Sequence, residues 1–110
     1  MKKLIFQIIS SWHHGKGSKF TRKGKFEIAL KHFQTALEYA LRSDNEASVP
    51  VEKECIARTF VRLRNYEQAK KYATESLNLY NKLQTAGSIF HDGANRVREL
   101  IKIIENQESV

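Results

Sequence analysis

The sequence predicts an all-α domain built from antiparallel helix–turn–helix pairs. Three observations carry that prediction. In Gly24–Leu41 the apolar residues Phe26, Ala29, Leu30, Phe33, Ala36, Leu37 and Ala40 form one stripe at helical spacing, with Glu27, Lys31, Gln34 and Glu38 opposite. The same pattern returns forty residues later in Asn65–Tyr80, where Phe26 matches Tyr66, Ala29 matches Ala69, Ala36 matches Ser76 and Leu37 matches Leu77. A single proline and five glycines in 110 residues leave little to interrupt helices.

Taken in order, residues 1–13 read as an N-terminal amphipathic segment, because Ile5, Ile8, Ile9 and Trp12 fall at i, i+3, i+4 and i+7. The opening MKKLIFQIISSW has a superficial likeness to a secretion signal. Its apolar run is short, is broken by Gln7 and is followed by Trp12-His13-His14 instead of small residues, so it is assigned to the fold. Residues 14–41 form a first helix pair with Gly24 at the turn. Gly15 and Gly17 each weaken a helix by about 1 kcal/mol relative to alanine, but a glycine also allows close packing. Arg42–Pro50 is polar and proline-bounded, a loop.

Residues 51–82 form a second pair. Val51, Cys55, Ile56, Phe60 and Leu63 face inward, Glu52 and Glu54 sit near the positive helix N-terminus, and Arg64-Asn65 makes the turn. Gly87 is a candidate stop and Ser88 a candidate N-cap. A capping helix over 88–106 places Phe90, Ala94, Val97, Leu100, Ile101 and Ile104 on one face. The whole is one domain.

With these turns in place the helix pairs resemble the tetratricopeptide repeat, over residues 10–106. Gly17, Phe20, Gly24, Phe26, Ala29, Phe33 and Ala36 follow that family's pattern in the first pair, and Ala57, Phe60, Tyr66, Ala69 and Ser76 in the second. The departures are Leu41 at the terminal proline position, Ala73 at the second aromatic, and a spacing of forty residues where the standard repeat has ~34. The resemblance implies an α-solenoid of about two and a half repeats that scaffolds protein–protein interaction without catalysis. It also implies a concave groove lined by first helices that holds a peptide or a partner helix. The groove residues it implies are His14, Ser18, Thr21, Arg22, Glu54, Arg58, Val61 and Arg62. Their arginines favour an acidic or carboxylate-bearing partner, since guanidinium binds carboxylate in a two-point fork. Two readings stand for Arg58 and Arg62: an anion clamp, or a solvated face with Arg58 paired to Glu54.

Charge supplies the alternative function. Lys2, Lys3, Lys16, Lys19, Arg22, Lys23 and Lys25 occupy residues 1–25 without a single acid, so the formal excess of +7 lies wholly there. A basic patch of Lys16, Lys19, Arg22, Lys23 and Lys25 is the candidate surface for nucleic acid or an anionic surface, within residues 2–25. Phe20 lies among these charges but on a repeat-core position, which removes it as a stacking platform. The stripe Ile5, Phe6, Ile8, Ile9 and Trp12 either caps the first repeat or packs on a second chain as a homodimer, capping being preferred.

No phosphate loop, serine elbow or close-spaced metal motif occurs, so no enzyme, no cofactor and no metal is expected. His13, His14, His32, His91 and Cys55 read as scattered, and Cys55 as a buried structural thiol. One cysteine excludes an internal disulfide and favours a reducing, cytoplasmic setting. No stretch approaches the ~20 apolar residues of a membrane span.

Overall fold

The computed structural model describes residues 2–84 and 89–108. Within them the chain forms five α-helices and no strand: α1 (Lys2–Arg22), α2 (Phe26–Arg42), α3 (Ser48–Arg62), α4 (Tyr66–Leu83) and α5 (Ile89–Glu108). Each helix packs on the next in sequence, and α3 also touches α5. The molecule measures 49 × 34 × 19 Å. Its thin dimension is about two helix diameters of ~10 Å. The candidate stop Gly87, the candidate cap Ser88 and the inward placement of Phe90 lie outside the described residues and side chains. No described helix is long and apolar enough to cross a membrane.

The turns that close α1 on α2 and α3 on α4 have the same backbone. Gly24 and Arg64 take positive φ values of 75° and 59°. The residues that follow, Lys25 and Asn65, sit at φ −92°, ψ 73° and φ −97°, ψ 79°. In the first turn the Gly24 N–H donates to the Thr21 carbonyl at 3.0 Å and the Lys25 N–H to the Phe20 carbonyl at 2.9 Å. In the second, Arg64 donates to Val61 at 3.0 Å and Asn65 to Phe60 at 2.9 Å. This is the Schellman closure, which satisfies the last carbonyls of a helix through one left-handed residue. Glycine takes that conformation freely, whereas at Arg64 it is strained.

The stripe positions of α2 and α4 are buried as the periodicity predicts: Ala29, Phe33, Ala36 and Ala40 in one, Ala69, Ala73, Ser76 and Tyr80 in the other. Small groups let the helices approach closely. Gly17 lies under Phe33, so a Cβ there would stand 2.6 Å from the ring. Gly93 lies under Tyr80 in the same way, a close approach between α5 and α4 that the periodicity did not reveal. Ser10 of α1 donates to the Ala36 carbonyl of α2 at 2.7 Å, and Ser76 of α4 donates to the Pro50 carbonyl of α3 at 2.8 Å. On α5 the residues Ala94, Val97, Leu100 and Ile104 are buried and complete a core with α3 and α4.

Three expectations are corrected. The N-terminal segment 1–13 is not separate: α1 runs unbroken through Gly15 and Gly17, because Gly17 is needed beneath Phe33. The loop after α2 is shorter than Arg42–Pro50, since α3 begins at Ser48 and places Pro50 in its first turn. Proline is tolerated there because first-turn N–H groups lack helical partners anyway. The stripe Ile5, Phe6, Ile8, Ile9 and Trp12 does not cap the fold as a unit. Phe6 packs near the Tyr39 ring at 5.6 Å and Ile9 is half-buried, but Ile5, Ile8 and Trp12 are 54%, 61% and 57% exposed. Phe6 and Ile9 lie on the edge of the stripe nearer α2, while Ile5 and Ile8 lie on the other edge and Trp12 reaches α2 through the His32 ring, 6.2 Å between ring centres.

Candidate functional site

Two clefts flank the line along which α1 approaches α3. One, of about 280 Å³, is lined by Ser18, Thr21 and Arg22 of α1, Phe33 of α2, and Cys55, Arg58 and Thr59 of α3. Phe33 and Cys55 give it apolar walls, and the two arginines bring charge to it. Arg22 is exposed and makes no ion pair with any described residue. The Thr21 and Thr59 hydroxyls donate at 2.8 Å to the carbonyls of Gly17 and Cys55 on their own helices, which leaves their oxygens as acceptors. The other cleft, of about 360 Å³, is polar; Gln7, Ser10, Ser11 and His14 of α1 face Ser43, Asn45 and Glu52 across it.

Of the eight groove residues expected, Ser18, Thr21, Arg22 and Arg58 meet in one cleft. His14 lies beside it in the polar cleft, its Nδ1 3.0 Å from Glu52 Oε1. That hydrogen bond, reinforced by the Glu52 charge, raises the His14 pKa above its ordinary value against the opposing effect of burial. The other three are placed elsewhere. Val61 is half-buried against the core shared by α3, α4 and α5. The Arg62 guanidinium lies 5.6 Å from the centre of the Phe26 ring, toward the start of α2.

Glu54 is the largest correction. It is 6% exposed and faces α4 and α5 instead of a groove. Its Oε1 accepts from the Tyr80 hydroxyl at 2.9 Å and from Arg96 Nη2 at 3.2 Å. Its Oε2 accepts from Arg96 Nε at 3.1 Å and from Arg58 Nη2 at 3.0 Å. Burial pushes the Glu54 pKa up, but the bonds from Arg96, Tyr80 and Arg58 outweigh it and hold the carboxyl below its ordinary value. The pairing of Arg58 with Glu54 is thus present, and Arg58 still exposes 47% of its side chain beside the cleft. No clamp with Arg62 forms.

Four of the five residues of the basic patch are open to solvent. Lys19, Arg22, Lys23 and Lys25 are exposed, whereas Lys16 is half-buried with its ammonium 5.1 Å from the centre of the Trp12 ring. Lys23 stands over one side of Phe20 at 5.9 Å, and Phe20 stacks on His32 at 5.5 Å with 5° between the planes. The aromatic inside the basic run is therefore occupied by the protein itself.

The fold also brings together residues that read as scattered. His14 of α1 and Glu52 and Cys55 of α3 each offer one ligand atom, and those atoms all lie within 4.8 Å of one another. Glu52 and Cys55 are three apart on one helix face, which sequence shows, but His14 reaches them only through the crossing of α1 and α3. Burial, with the charges of Glu52 and Glu54 adding to it, pushes the Cys55 thiol up to about 12. His13 and His32 form a second pairing across α1 and α2, their Nδ1 atoms 3.0 Å apart. No family model, curated protein or solved structure matches the chain.

Proposed function

We propose that the chain is a non-enzymatic, tetratricopeptide-like interaction module that holds an acidic peptide segment of a protein partner against α1 and α3. The observation that carries this reading is the cleft that joins Ser18, Thr21 and Arg22 of one helix to Arg58 of the next-but-one, over the Phe33 ring. An extended or helical segment laid there places its carboxylates against Arg22, which no described acid neutralises, beside the apolar wall that Cys55 contributes. The matched turns and matched buried positions of the two helix pairs support the repeat reading. A cytoplasmic setting belongs with it.

Peptide-display selection against the full chain tests this. Enriched sequences should carry Asp, Glu or a free C-terminal carboxylate near an apolar anchor, and should lose binding to Arg22→Glu/Arg58→Gln. Enrichment of sequences without acids, or undiminished binding by that variant, refutes the assignment.

A second reading is favoured by one further observation. Leu4, Ile5, Ile8 and Trp12 are exposed on the helix that also carries Lys16 and Lys19, neither of them ion-paired with a described residue. Such a face suits an anionic surface better than nucleic acid, since the base-stacking aromatic is engaged by His32. Co-sedimentation with phosphatidylserine vesicles, compared with phosphatidylcholine vesicles and across salt, decides it. Equal binding to both refutes it.

A further inference from the structure

We propose that His14, Glu52 and Cys55 form a zinc site across the α1–α3 junction, with the fourth coordination position taken by water from the adjoining clefts. The three side chains supply a nitrogen, a carboxylate oxygen and a sulfur, the donor set that zinc accepts in tetrahedral sites. Their ligand atoms already lie within 4.8 Å of one another, and helix backbones hold all three Cα positions. Tetrahedral ligands about 2.0–2.3 Å from a zinc ion stand roughly 3.3–3.6 Å apart, so side-chain rotation without backbone movement closes the set.

Two further features point to a cation. Glu52 is a carboxylate only 4% exposed, and its only ion pair with a described residue is with the half-exposed His14. A buried carboxylate is ordinarily matched by a full cation or a metal ion. The cluster also lies where solvent reaches it from both sides: His14 and Glu52 line the polar cleft, and Cys55 lines the arginine-edged one. On binding, the zinc–sulfur bond replaces the S–H bond of Cys55 and the thiol proton leaves to solvent; the Nδ1 proton that His14 holds against Glu52 also leaves that nitrogen, to solvent from the imidazolium or to Nε2 in the neutral ring, and no electron is transferred. His14 Nδ1 gives up its contact with Glu52 Oε1, and both atoms turn to the ion. The site stands independently of the peptide reading, because it needs neither Arg22 nor Arg58.

Cobalt(II) titration of the full reduced chain tests the proposal, because thiolate ligation to cobalt gives a charge-transfer band and tetrahedral geometry gives intense visible bands. Wild type should show both, and Cys55→Ser should lose the charge-transfer band. His14→Ala and Glu52→Gln should weaken binding by at least the ~10–100-fold that loss of a mere supporting partner costs. His32→Ala should leave the spectrum unchanged, which separates this site from the His13–His32 pair. A second measurement needs no variant: stoichiometric zinc should slow alkylation of Cys55 at least tenfold, and a chelator should restore the rate. Absence of the band in wild type, its persistence in Cys55→Ser, its loss in His32→Ala, or zinc-independent alkylation each overturns the assignment.

Discussion

Replacing Glu54 with glutamine keeps the shape of a side chain that is 6% exposed but removes the charge that serves three partners at once. The amide retains one acceptor oxygen, and its nitrogen must point at a donor, either an arginine or the Tyr80 hydroxyl. The two arginines are about half exposed, at 47% and 52%. Water therefore screens them, and each lost pairing is held to surface-pair size, about 0.2–1 kcal/mol. Tyr80 is 2% exposed, so an unmatched hydroxyl there costs about 1–3 kcal/mol. Together these give an expected loss of roughly 1.5–5 kcal/mol, large beside the ~5–15 kcal/mol that stabilises a typical domain. Urea unfolding followed by far-UV circular dichroism measures it as a lower midpoint at unchanged slope.

The same substitution has a signature in pH. The folded-state pKa of Glu54 is depressed, so its contribution is fully present above the ordinary value of 4.5 and is lost as pH falls through the lower folded value. Wild type should therefore lose stability faster than Glu54→Gln on acidification below that value, and the two curves should converge. Arg96→Ala should cost much less in the Glu54→Gln background than in wild type. A variant as stable as wild type at neutral pH, with an identical acid limb, refutes the reasoning that this carboxylate ties α3 to α4 and α5.

Three other predictions rest on single contacts. Gly17→Ala drives a methyl into the Phe33 ring and should cost about 1–3 kcal/mol, while the same change at Gly15, where a Cβ meets nothing, should stabilise by roughly 0.5–1 kcal/mol; thermal melts compare them. Arg64→Gly should raise stability by about 1 kcal/mol by relieving a left-handed non-glycine residue at φ 59°, and Gly24→Ala at the equivalent turn should lower it by a similar amount. His14 should titrate above its ordinary value by NMR. Because its folded pKa is raised, the stability that it contributes is full below the ordinary value of 6.5 and is lost as pH rises through the folded value; Glu52→Gln should abolish both effects.

The helices were legible in the sequence because a helix is a local object. The period that places Ala29, Phe33, Ala36 and Ala40 on one side of α2 is set by 3.6 residues per turn, and those residues are the ones buried. The turn at Gly24 was legible for the same reason, and so was the pairing of Arg58 with Glu54 four residues earlier. Which of two polar faces is buried is not local. Glu54 reads as a surface residue beside Arg58 until α5 brings Arg96 and α4 brings Tyr80 over it. Val61 and Arg62 take their directions from how α3 rotates against its neighbours, an angle of which neighbouring residues in the chain carry no trace. The exposure of Ile5, Ile8 and Trp12 was hidden likewise, because an apolar stripe looks the same whether or not another helix covers it. His14 meets Glu52 and Cys55 across 38 and 41 positions of chain, and only the packing of α1 beside α3 could bring them together.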